Sequence, residues 1–143
     1  MSELNENSIG LLSTTASVDL KATAGTKTNL YTVPSGKTLI ISEIWLKASA
    51  DVGAAGGIYI GSSTDTTNYT FGTTVVSTTP CLLTNLNAAN DVIIIKPGIH
   101  VGLTAATPQT NKAYPAGTII QVEIKTATTN AATGTFYLFG FLF

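Results

Sequence analysis

Arginine is absent from the 143 residues, so all seven basic side chains are lysines, and the formal net charge is only −1. The planar, bidentate donor that reads phosphates and base edges is therefore missing. No stripe of basic residues replaces it, and nucleic-acid binding is not expected. Cysteine and histidine occur once each, as Cys81 and His100. One cysteine cannot form an intrachain disulfide, and one of each cannot build a structural zinc site within a chain. No segment approaches the ~20 apolar residues of a membrane helix. The first residues carry Glu3 and Glu6 with neither a basic start nor an apolar run, so no signal peptide and no membrane partner are expected. Charge of either sign is scarce: charged residues make up 10% of the chain, against about 25% in ordinary soluble domains. Either threonine, serine and asparagine hydrate the surface without charge, or neighbouring subunits cover part of it.

Threonine, by contrast, is abundant, with 25 copies, and it favours strands over helices. From Ser17 onward the dominant period is two. In Gly117–Lys125, Thr118, Ile120, Val122 and Ile124 fall on one face, and Ile119, Gln121, Glu123 and Lys125 on the other. Strict alternation likewise sorts Ile40, Ser42, Ile44 and Leu46 from Leu39, Ile41, Glu43 and Trp45. Further strands are expected at Val18–Ala22, Leu30–Val33, Ile58–Ile60, Tyr69–Val76, Cys81–Leu86, Val92–Ile95 and Ile99–Leu103. Pro34-Ser35-Gly36, Lys96-Pro97-Gly98 and Pro115-Ala116-Gly117 supply turns, proline presetting φ and glycine tolerating φ > 0. No helical stripe of useful length occurs, and Gly53, Gly56 and Gly57 interrupt the alanines of 48–57. About eight short strands with turns between them indicate an all-β, antiparallel β-sandwich. Residues 1–16 are read as a flexible arm with an apolar island at Ile9, Leu11 and Leu12, and residues 17–143 as a single domain.

The C-terminal strand is apolar on both sides. Tyr137, Phe139, Phe141 and Phe143 alternate with Phe136, Leu138 and Leu142. A two-sheet sandwich buries one face of each sheet, so the second face needs an arm, a loop or another subunit over it. Ile9, Leu11, Leu12, Tyr137, Phe139, Phe141 and Phe143 are therefore the candidate interface residues of a homo-oligomer.

Catalytic chemistry is poorly provided for. A Ser-His-Asp triad would have to use His100, and no Gly-x-Ser-x-Gly elbow occurs. Asp51, Asp65 and Asp91 lack calcium-loop spacing, so they read as solvated or turn-capping residues. Glu43 and Glu123 could meet on a sheet surface as a carboxylate pair. Cross-strand pairing with Lys47 and Lys125 explains the same four residues more simply. Asn68-Tyr69-Thr70 matches a glycosylation sequon. Trp45, with Tyr31, Tyr59 or Tyr69, could form a sugar-stacking platform, although a core tryptophan is commoner. Neither an enzyme nor a cofactor or metal is expected.

The stretch Thr28-Asn-Leu-Tyr-Thr-Val-Pro-Ser-Gly-Lys-Thr-Leu-Ile-Ile-Ser-Glu-Ile44 resembles a signature of small β-sandwich virion proteins of tailed bacteriophages. Ile95-Lys96-Pro97-Gly98-Ile99, the run from Pro115 to Ile124, and Phe139-Gly140-Phe141 are similar to the closing half of such jelly-roll domains. The resemblance touches about half the chain. It implies a jelly-roll fold and a virion structural protein that decorates or cements the capsid. The implied partners are further copies of itself, commonly in a trimer, and the major capsid protein. A tail or fibre component and a carbohydrate-binding module are the alternatives.

Overall fold

The computed structural model describes residues 9–70, 80–97 and 112–143, and among them it has nine strands and no helix. The strands are β1 (Gly10–Asp19), β2 (Lys27–Thr32), β3 (Leu39–Ala48), β4 (Gly57–Ser62), β5 (Cys81–Leu82), β6 (Val92–Ile95), β7 (Ala113–Tyr114), β8 (Ile119–Thr126) and β9 (Thr133–Leu142). All pairings are antiparallel. The first sheet runs β1-β9-β3-β6, with β7 paired to the start of β3, and the second runs β2-β8-β4-β5. The two sheets form a sandwich, as the alternating pattern implied.

Alternation sets the core. β8 buries Ile120, Val122 and Ile124 and turns Gln121, Glu123 and Lys125 outward. From the facing sheet, Ile44, Leu46, Phe136 and Leu138 close against them, each at most 1% exposed. Two of the Pro-x-Gly turns behave as read: Gly36 and Gly117 have φ of 73° and 83°, and Lys37 and Thr118 donate back to the carbonyls of Pro34 and Pro115 at 3.2 Å. The turns lie side by side, because Val33 accepts from Gly117 N–H and donates to the Thr118 carbonyl, both at 2.9 Å. Each turn carries the chain from one sheet to the other.

Several expectations are corrected. Strict alternation along β3 is broken by a β-bulge, since Ile41 faces Gly140 while Glu43 faces Phe139. Leu39 and Ile41 therefore join Ile44 and Leu46 in the core, and Ile40 leaves it. Residues 10–16, read as arm, form most of β1, so the boundary at residue 16 falls inside a strand. They were inconspicuous because β1 is rich in small hydroxyl side chains. Ser13 and Thr15 donate to the Leu30 carbonyl at 2.7 and 3.5 Å, tying this edge of the first sheet to β2 in the second. Tyr69 and Thr70 belong to turns rather than a strand, β5 ends at Leu82, and β7 arises within an expected loop. The rest of the Tyr69–Val76 strand, the Ile99–Leu103 strand and Gly98 lie outside the described residues.

Candidate interaction face

Because β9 alternates between two apolar sets, one set must leave the core. Phe136 and Leu138 point inward, and Tyr137, Phe139 and Phe141 stand half-buried on the outer face of the first sheet. Cross-strand partners share a face. Register therefore aligns Leu11, Phe139 and Glu43 in one row, and Thr14, Tyr137, Trp45 and Ile94 in the next. Thr135, Lys47 and Val92 form a third row, and Phe141 pairs with Ile40 beyond the first. The Trp45 and Phe139 rings lie 4.9 Å apart and tilted by 48°, and those of Phe141 and Phe143 are 5.5 Å apart. Leu11, Val92, Ile94 and Phe143 keep 46–54% of their surface exposed, and Trp45 keeps 37%. Exposed apolar side chains this contiguous mark interaction surfaces on soluble proteins.

Five of the seven expected interface residues, Leu11, Tyr137, Phe139, Phe141 and Phe143, thus share this face. Leu12 does not: it packs against the core, next to Gly140. Ile9 is exposed just ahead of β1. Trp45, Val92, Ile94 and Ile40 were missed. The outward position of Trp45 was signalled by Glu43 and Lys47 two residues to either side. Val92–Ile95, being β-branched throughout, carried no such signal.

Other candidate sites do not assemble. Glu43 and Glu123 stand on different sheets, so they form no carboxylate pair. Lys27 faces Glu123 in register, Thr66 Oγ1 donates to Glu123 Oε2, and Lys125 Nζ lies 5.9 Å from the Tyr59 ring centre. Tyr31 and Tyr59 are on the second sheet and Tyr69 is buried, so none joins Trp45 in a platform. All four aspartates accept backbone N–H groups in tight turns: Asp19 from Lys21, Asp51 from Gly53, Asp65 from Thr67, and Asp91 from Asn87 and Ala88. Among the described residues, no three His, Cys, Asp or Glu gather to hold a metal, and no helix is long and apolar enough to cross a membrane. His100 lies outside the described residues.

Among the described residues one buried polar cluster is present, and it serves the fold. Gly61 has no room for a Cβ, because the backbone of Asp65–Asn68 packs directly against it. That close approach buries Asn68, whose side chain is 8% exposed and bonded to Ser62 and Tyr114. The sequon asparagine is thus inaccessible in the folded chain. Burial raises Tyr69 and Tyr114 well above the ordinary phenol range and pushes the Cys81 thiol up to about 11. The unfolded chain releases these protons near the ordinary values, so the folded state loses stability as pH rises past about 9 for Cys81 and about 10 for the tyrosines. Urea unfolding followed from pH 7 to 11 should show about 4–5 kcal/mol lost by the end of that range, about 2 from the thiol and a little over about 1 from each tyrosine. The neutral thiol is expected to alkylate far more slowly than free cysteine at pH 8. A flat stability profile together with rapid alkylation would contradict the burial of all three groups.

No family model and no curated protein matches the chain. Among solved structures, a chain of the cyanophage Pam1 capsid asymmetric unit superimposes with a TM-score of 0.55 at 12% identity, covering 98% of this chain and 87% of that chain. The two proteins share a fold.

Proposed function

We propose that the chain is a structural protein of a bacteriophage virion, without catalytic activity, that decorates or cements the capsid by burying the outer face of its first sheet. That face supports the reading most directly: the described residues gather aromatic and aliphatic side chains there. A protein that works by being covered needs such a face. The fold shared with a chain of a phage capsid unit points the same way.

The strand order adds support for a jelly roll. With β7 set aside, β1-β9-β3-β6 packed on β2-β8-β4-β5 is the order of eight strands wound as two Greek keys. Scarce charge suits a protein held among neighbours, where many weak contacts add through multivalency. The partners in this reading are the major capsid protein and further copies of the chain, and the location is the virion.

Particles of the phage carrying the gene should contain the chain in copy number comparable with the major capsid protein, as read by quantitative mass spectrometry of gradient-purified virions. Its absence from particles would overturn the virion role. A handful of copies located at the tail by electron microscopy would replace decoration with a tail or fibre role.

A further inference from the structure

We propose that the outer face of the first sheet pairs with the same face of a second copy, about a two-fold axis passing beside Trp45. Along β3 the outward positions read Glu43, Trp45, Lys47: a negative group, an aromatic and a positive group in even steps. A two-fold axis at the middle position sets Glu43 of each copy over Lys47 of the other, while the Trp45 side chains meet at the centre. Tyr137 and Ile94 lie in the row of Trp45, and the rows to either side present Leu11, Phe139 and Val92. Stacked sheets pack about 10 Å apart, a gap that a glutamate and a lysine reaching from opposite sides can span. A stacking angle of about 30° displaces groups lying about 7 Å from the axis by only some 3–4 Å. With one charge of each sign flanking the tryptophan, a strongly charged partner gains nothing on this strand, whereas a second copy satisfies both groups. A three-fold ring requires two different surfaces on each copy, and only a two-fold contact lets one patch complement itself.

The inference deepens the reading of this face as an interface, but it concerns the purified chain alone. It can therefore fail while the chain is still found in particles, and it can hold where the chain is absent from them. Four strands about seven residues deep give a footprint near 15 by 24 Å. That is small beside the roughly 800 Å² per partner of standard interfaces, so a weak dimer is expected, with a dissociation constant of about 100 μM. Sedimentation equilibrium of the full chain, from low micromolar to about 1 mM, should show a monomer–dimer equilibrium. Trp45→Ser should abolish it. Glu43→Lys or Lys47→Glu, each placing like charges together twice per dimer, should weaken it about tenfold or more. The double variant should regain most of the loss, and thermal melts should show every variant folded. A monomer throughout, a trimer, or a double variant no better than the single ones would each overturn the two-fold contact.

Discussion

Replacing Asn68 with alanine is expected to lower the stability of the fold by about 3–5 kcal/mol, although the side chain is uncharged and belongs to no strand. The Asn68 carbonyl oxygen accepts from Ser62 N–H at 3.0 Å and from the Tyr114 hydroxyl at 2.8 Å, and its amide donates to Ser62 Oγ at 2.8 Å. Next to it, the Tyr69 hydroxyl donates to the Ile95 carbonyl at 2.9 Å. This cluster connects the turn after β4 to β4 itself, to β6 and to β7, and so joins both sheets. Alanine leaves a backbone donor and a phenol donor buried without acceptors, each costing about 1–3 kcal/mol, and opens a void where the amide was. Tyr114→Phe removes only one of these bonds and its donor together, so about 1 kcal/mol is expected. Urea denaturation of both variants measures the difference. A loss below about 1 kcal/mol for Asn68→Ala would mean that water substitutes for the amide and that the turn is held by packing alone.

That cluster is also where the sequence was least legible. Its bonds join residues 26 and 46 positions apart, and no periodicity in the chain connects Tyr69 to Ile95 or Asn68 to Tyr114. The alternating strands were legible because burial of one face dictates every second residue. β8 follows its pattern, and β9 declared two apolar faces before any fold was known. The bulge in β3 is different in kind, because it is set by the register against β9 and not by the composition of β3. The strand character of residues 10–16 likewise comes from pairing with β9 and from hydroxyls reaching the Leu30 carbonyl. The interaction face was half visible for the same reason. Aromatic alternation in β9 exposed its own contribution, while those of β3 and β6 became apparent only once register placed Trp45 and Ile94 beside Tyr137.

Two phenylalanines on β9, three residues apart, are expected to separate folding from assembly. Phe136 is 1% exposed and pairs with Leu46 in the core, so Phe136→Ala should cost about 3–5 kcal/mol. Phe139 points the other way, half-buried against Trp45, Leu11 and Glu43 on the outward face. Phe139→Ser should cost the isolated chain less than about 1.5 kcal/mol, since only part of its ring leaves water on folding. In particles, and in self-association, the same substitution removes a central apolar contact and is expected to weaken binding by 10-fold or more. Stability has to be read at low micromolar concentration, where mass action from association adds little to the apparent value. If Phe139→Ser destabilises the dilute chain as strongly as Phe136→Ala, the outward face is covered within a single chain and is not available to a partner. If stability holds while association is lost, one strand carries the core of the sandwich on one side and its contact surface on the other.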